Sequence, residues 1–211
     1  MKNLYIYYDN PTEASNMYLK MLRKDADERG INIILTDSMK YLYDNFIDGE
    51  DFVLPLYPVS TPEVENEIMR FLKNCPDADV DNISGKSPYN RDATAMGIYE
   101  HIINNYPNRE TAIGVIGRGK VGKELVDLLI SYGYTVFNYN SKTPRDLLQG
   151  TAGWVNILVG VSSQDYIIEE ADCNDLIQYG VKLIDAGNNF CTKDKLRCGK
   201  WTREVLFDRM M

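Results

Sequence analysis

The residues best suited to chemistry lie in one stretch, Thr111 to Gly122, which reads TAIGVIGRGKVG. An apolar run, Ala112, Ile113, Val115 and Ile116, leads into Gly117, Gly119 and Gly122 and then into the amphipathic segment Lys123 to Leu129. That order predicts a buried strand, a glycine turn and a helix start. Gly117 permits a tight turn, Gly119 lacks the Cβ that would hold a backbone away from a pyrophosphate, and Gly122 lets the helix pack close to the strand. The N–H groups and the dipole at a helix start favour a diphosphate. Glycines at this spacing also occur in plain loops. The strand before them and the helix after them favour a dinucleotide, cradled by Gly117, Arg118, Gly119, Lys120, Val121 and Gly122.

The end of the following strand bears on which dinucleotide. A site for NAD wants Asp or Glu about 20 residues beyond the glycines, on the ribose hydroxyls. Here Asn138, Asn140, Ser141 and Lys142 occupy that region, and Arg118 sits inside the turn. A hydroxyl and a pair of cations, Ser141 with Lys142 and Arg118, suit a 2′-phosphate, so NADP is favoured over NAD. The alternative is that Lys142 and Arg118 are simply solvated.

The elements that must position this turn follow from pattern. Asn3 to Tyr8 reads as a strand. Pro11 fits a first helical turn, with Tyr18, Leu19 and Leu22 at helical spacing up to a cap at Gly30. Ile31 to Leu35 is a second strand, Asp37 to Phe46 a helix, and Phe52 to Leu56 a third strand that Pro55 and Pro58 end in a turn. Thr61-Pro62-Glu63 opens a helix carrying Ile68, Met69 and Leu72 on one side. From Cys75 to Arg91 no period survives, which predicts a boundary between lobes spanning residues 1–91 and 92–211. Ala93 to Asn105 is helical. Tyr134 to Tyr139, Val155 to Val161 and Val181 to Ile184 are short apolar runs between helical or polar stretches. The expected fold is therefore α/β, with a doubly wound, Rossmann-type parallel sheet in the C-terminal lobe.

Composition bounds the partners. The 211 residues are 44% hydrophobic, enough for a packed core, and carry a formal net charge of −8. An acidic chain, of pI near 4.8, argues against nucleic acid, which recruits basic faces. No run approaches the roughly 20 apolar residues of a membrane span, and Met1-Lys2-Asn3 opens no signal peptide, so a cytoplasmic protein is expected. Cys75, Cys173, Cys191 and Cys198 lack CxxC spacing and read as free thiols rather than zinc ligands or disulfides, so no metal is expected. The single histidine, His101, reads as a helix-face residue. The apolar C-terminus, Val205, Leu206, Phe207, Met210 and Met211, either covers a subunit edge or packs on its own sheet.

An ordered set of short matches resembles the bifunctional methylenetetrahydrofolate dehydrogenase/methenyltetrahydrofolate cyclohydrolase family. Asp9-Asn10-Pro11 with Ala14-Ser15-Asn16-Met17-Tyr18 is similar to its DNPAS..YV segment, and Asp79-Val80-Asp81 to its DVDG. Asp92 to Gly97 falls where the family has PCTPxG, Gly117 to Gly122 where it has GRSxxVG, Asn140-Ser141-Lys142-Thr143 at its HSKT, and Leu183 to Asn189 at its VIDxGIN. The resemblance implies two α/β lobes with a folate cleft between them, NADP on the second lobe, and a homodimer formed through the nucleotide lobes. It also implies that Tyr18 stacks on the pterin and aminobenzoyl part of a folate-type substrate. Asp81 would hydrogen-bond the pterin edge, and Arg118 with Ser141 would hold the NADP phosphate. Read without the family, Tyr18 is a helix-face aromatic, one of 15 tyrosines, and Asp81 a turn residue.

The departures are as informative. The family's catalytic Lys, one helical turn beyond the Tyr, falls on Leu22, and at about 100° per residue neither Lys20 nor Lys24 shares the face of Tyr18. Its QLPLP glutamine falls on Leu54 and its PCTP cysteine on Ala93, and the chain ends without the family's TPVPGGVGPMT segment. Hydride transfer needs chiefly alignment of cofactor and substrate. Hydrolysis of a methenyl carbon benefits from a positioned polar group, worth roughly 10²–10⁴-fold, which Leu22 and Leu54 cannot supply. Three readings follow: an NADP-dependent methylenetetrahydrofolate dehydrogenase with its cyclohydrolase step lost or weak, an oxidoreductase refitted for another small substrate, or a non-catalytic nucleotide or folate binder.

Overall fold

Strand residues that alternate between the two faces of a sheet decide how each half of the chain is covered. The computed structural model describes residues 2–87, 91–140, 143, 150, 154–162 and 168–211. They fall into two compact units, Met1–Ala93 with Arg203–Met211, and Thr94–Thr202. No helix among the described residues is long and apolar enough to cross a membrane.

The first unit has a parallel three-stranded sheet in the order β2-β1-β3, from β1 (Asn3–Tyr7), β2 (Asn32–Thr36) and β3 (Phe52–Pro55). Tyr5 and Tyr7 of β1 and Val53 of β3 point to one face. There they meet Met39 and Leu42 of α2 (Met39–Asn45) and Ile68, Phe71 and Leu72 of α3 (Pro62–Asn74). The alternate residues Leu4, Ile6 and Leu54 are equally buried. β3 is an edge strand that ends at Pro55, which has no N–H to give a further ladder bond. The polar stretch after α3 is packed rather than open: Asp79 bridges Val53 of β3, and Ala78, Asp79 and Val80 are buried. Its burial follows the sheet edge, which a reading of periodicity alone does not contain.

Helix α1 (Glu13–Arg29) starts two residues later than Pro11 suggested. Thr12 is its N-cap, with Thr12 Oγ1 accepting from Ser15 N at 3.1 Å and Ser15 Oγ accepting from Thr12 N at 2.9 Å. The reciprocal pair satisfies two helix-end donors at once, and Pro11 lies outside. Thr12→Ala is expected to cost about 1 kcal/mol, read as a lower urea midpoint at unchanged slope. Ser15, Leu19, Leu22 and Ala26 form the buried stripe of α1, and Gly30 closes it at φ +67°.

The second unit has a parallel five-stranded sheet, order β5-β4-β6-β7-β8, from β4 (Ala112–Ile116), β5 (Thr135–Tyr139), β6 (Ile157–Gly160), β7 (Lys182–Asp185) and β8 (Leu196–Arg197). Ile113 and Val115, with Ile157, Val159 and Ile184, face α4 (Ala93–Asn105) and α5 (Lys120–Tyr132). Ile116, Leu158 and Leu183 face the other way, toward Cys173 and Leu176 of α6 (Glu170–Gln178). Helices on both faces of a parallel sheet make this the doubly wound arrangement.

His101, on α4, stacks on Trp201 at 3.7 Å between ring centroids, and its buried Nε2 has no hydrogen-bond partner among the described residues. Burial lowers its pKa from 6.5. The unfolded chain therefore takes up the proton first, and stability is lost as pH falls below 6.5. His101→Phe, which keeps the stack, is expected to flatten that part of a plot of melting temperature against pH.

The last helix, α7 (Gly199–Met210), buries Val205, Leu206, Phe207 and Met210 within the chain itself. Arg29 of α1 lies over the Phe207 ring at 5.1 Å, and Arg203 Nε reaches Asp25 Oδ2 of α1 at 2.6 Å. The apolar C-terminus thus packs on its own fold rather than on a subunit edge, because α1 supplies the partner face.

Candidate functional site

The turn after β4 has the expected form. Gly117 adopts φ +125°, a conformation that favours glycine. A Cβ there would lie 3.0 Å from Ser162 N, and a Cβ on Gly122 would lie 2.2 Å from Gly117 O. Both glycines are required by packing. Gly119 is not: it caps α5 with an ordinary φ of −68°, and nothing lies within 4 Å of where its Cβ would be. That open space above a helix N-terminus is what a pyrophosphate needs, so the turn fits a dinucleotide. Lys120 opens α5 on its exposed side, and Val121 is half-buried.

The strand order places this turn at the topological switch point. From β4 the chain runs to β5 on one side and returns to β6 on the other, so the carboxyl ends of β4 and β6 border the crevice where such sheets bind ligands. Its rim is tied by hydrogen bonds. Gly117 N donates to Tyr139 O at 2.8 Å. Ser162 N, just past β6, donates to Asn189 Oδ1 at 3.1 Å, and Asn189 N donates to Asp185 Oδ1 at 2.9 Å. Exposed Arg118 donates from Nε to Asn138 Oδ1 at 2.9 Å. Ser141 and Lys142, expected on the 2′-phosphate, lie outside the described residues.

Asp185 lies within the stretch that matches VIDxGIN, but sequence reading gave it no role of its own. It ends β7 with 1% exposure, and Lys195 Nζ lies 2.7 Å and Arg197 Nη1 3.6 Å from its Oδ2. Arg197 also donates to Asn188 Oδ1 at 2.6 Å, where Asn188 takes φ +60°. The signal available was a carboxylate closing an apolar strand, which must find a cation or donors. The two-residue strand that brings those cations, β8, leaves no periodic trace.

In the first unit, Tyr18 is half-buried beside the buried stripe of α1, and Leu22, one turn on, is fully buried. Leu54 pairs with Ile6 in the sheet and is 3% exposed. Ala93 is likewise enclosed. Asp81 is half-buried, and its charge reaches Tyr57: burial first, then Glu65, Asp79 and Asp81, push the Tyr57 hydroxyl up to about 12. Tyr57 is a residue that sequence reading had not singled out. Nearby in sequence, Asp79 is fully buried, with Oδ2 accepting from Ser84 N at 2.6 Å and Oδ1 unpaired among the described residues. At the end of β1, Asp9 accepts from Ser60 N at 3.1 Å.

All four cysteines are free thiols. Burial pushes Cys173 up to about 11 and raises Cys198 and Cys75, so none of these three is an activated nucleophile.

No protein-family model matches the chain, and no curated protein matches it. Among solved structures it is similar to the N5,N10-methylenetetrahydrofolate dehydrogenase-cyclohydrolase of Trypanosoma brucei, complexed with NADP and an inhibitor. The TM-score is 0.75 at 16% identity, over 99% of this chain and 85% of that one. It is similar also to a 5,10-methylenetetrahydrofolate dehydrogenase of the silkworm Bombyx mori, with TM-score 0.73 and 18% identity over 99% and 86% of the two chains. The NAD-dependent 5,10-methylenetetrahydrofolate dehydrogenase of Saccharomyces cerevisiae matches at TM-score 0.70 and 16% identity, over 99% and 86%. At such identities the likeness is one of fold, and the fold of this chain resembles that of methylenetetrahydrofolate dehydrogenase/cyclohydrolase enzymes.

Proposed function

We propose that this chain is an NADP-dependent oxidoreductase of the methylenetetrahydrofolate dehydrogenase type whose cyclohydrolase step is lost or weak. The observation that carries the reading is Gly119: an open position, flanked by two glycines that packing demands, at the switch point of a doubly wound sheet. NADP, when bound, supplies the hydride acceptor. The chain's part is to hold it and to align the donor carbon. Arg118, Ser141 and Lys142 take the phosphate of the adenosine half. Tyr18 stacks on the folate and Asp81 accepts from the pterin edge.

Loss of hydrolysis follows from two buried leucines. Leu22 and Leu54 are enclosed in the first unit, so neither position offers water a general acid, a general base or an orienting amide. The apolar set Leu22, Leu54 and Ala93 also favours a second reading, an oxidoreductase whose substrate is another small molecule. We place the protein in the cytoplasm as a homodimer, a state that sedimentation equilibrium tests.

A spectrophotometric assay with methylenetetrahydrofolate and NADP, following reduced cofactor and methenyl product separately, decides among the readings. Both products, with methenyl accumulating, is the expected result. Methenyl hydrolysed as fast as it forms would refute the loss of the second step. NADP binding without turnover, and without folate affinity, would turn the assignment to the second reading. Binding of both without turnover would leave a non-catalytic binder.

A further inference from the structure

Arg118 is exposed in the glycine turn, and its Nε donates at 2.9 Å to Oδ1 of Asn138, the penultimate residue of β5. The contact uses one edge of the guanidinium and none of its charge, because the acceptor is a neutral amide. Among the described residues the terminal Nη groups keep the planar fork that binds a phosphate in bidentate fashion. Both ends of the contact rest on the sheet: Val115 pairs with Asn138 across the ladder, and Gly117 N donates to Tyr139 O at 2.8 Å. The strands therefore fix the backbone on both sides of the contact, and the hydrogen bond to Asn138 holds the Arg118 side chain between them.

Asn138 lies in the region where a site for NAD carries its acid. An Asp in its place would differ only in an amide nitrogen exchanged for a charged oxygen. It would pair with Arg118, cancel its charge, place a negative group where a 2′-phosphate must sit, and offer an acceptor to ribose hydroxyls. We propose that Asn138 is the specificity-determining residue of this site, a positioning residue that aims Arg118 at the 2′-phosphate of an adenine dinucleotide while leaving its charge available. The inference rests on the dinucleotide reading above.

The test is equilibrium binding of NADPH and NADH, each alone, by calorimetry, with 2′,5′-ADP and 5′-AMP as fragments that differ in the same phosphate. Wild-type protein is expected to prefer NADPH and 2′,5′-ADP. Asn138→Asp is expected to lower NADPH affinity by roughly tenfold while holding or raising that for NADH, so that the ratio collapses. Asn138→Ala, which releases Arg118 without cancelling it, should lower the ratio less. A merely structural role would weaken both nucleotides alike, and that outcome overturns the proposal. An NADPH preference unchanged in Asn138→Asp removes Asn138 from specificity and leaves the dinucleotide reading standing. Wild-type protein that binds neither nucleotide refutes both.

Discussion

Gly122→Ala will destroy dinucleotide binding and weaken the fold, whereas Gly119→Ala will weaken binding alone. The two glycines are three residues apart in one turn, yet they answer to different demands. A Cβ on Gly122 would lie 2.2 Å from Gly117 O and 2.8 Å from Gly117 C. Both are backbone atoms of the turn, so no side chain can swing away, and the start of α5 must be displaced from β4. The expected cost is about 2–3 kcal/mol, seen in urea unfolding, with loss of measurable NADPH binding. On Gly119 the same methyl meets nothing of the protein within 4 Å. Stability should change by no more than about 1 kcal/mol, the order of an N-cap exchange, while affinity drops by at least roughly tenfold because the methyl occupies the approach of the pyrophosphate. Equal effects on stability would mean that the turn tolerates a shift at Gly122 and that the glycines do not divide in this way.

Lys195→Met is expected to be the most destabilising single change on the rim, by about 3 kcal/mol. That is near the low end of what breaking a buried ion pair costs. Asp185 is 1% exposed, and among the described residues Arg197, 3.6 Å away, is the cation that would still face it. Loss should reach beyond stability. Asp185 Oδ1 accepts from Asn189 N, and the Asn189 amide both accepts from Ser162 N and donates to Ser162 O. Relaxing the carboxylate therefore loosens the ends of β6 and β7 together. The double variant Lys195→Met with Asp185→Asn should recover part of the stability, since it removes the unpaired charge rather than one partner. A Lys195→Met protein with an unchanged unfolding midpoint would show that Arg197 alone satisfies Asp185.

The residues of the glycine turn and of its rim differ in how plainly the sequence displays them. The glycine turn was legible because its chemistry is local: strand, turn and helix start follow one another, and each glycine acts within a few residues of its neighbours. The cap at Gly30, the helix opened by Thr61 and the helix Ala93–Asn105 were legible for the same reason, since caps and apolar periods are short-range. The start of α1 was misplaced by one turn signal, because Pro11 suits a first helical position and only the hydrogen-bonded pair of Thr12 with Ser15 decides between them.

The sequence by itself determined the α/β class, the alternation of strands and helices, and the position of the glycine turn, because periodicity and turn chemistry are encoded residue by residue. Only the tertiary structure decided what lies far apart in the chain: that β8 brings Lys195 and Arg197 to Asp185, that Asn138 holds Arg118, and that α7 returns to cover α1. It also decided that Leu22 and Leu54 are fully enclosed rather than lining an open face. Such pairings depend on strand order and crossover direction. Burial and charge compensation are then satisfied between partners that no local pattern links.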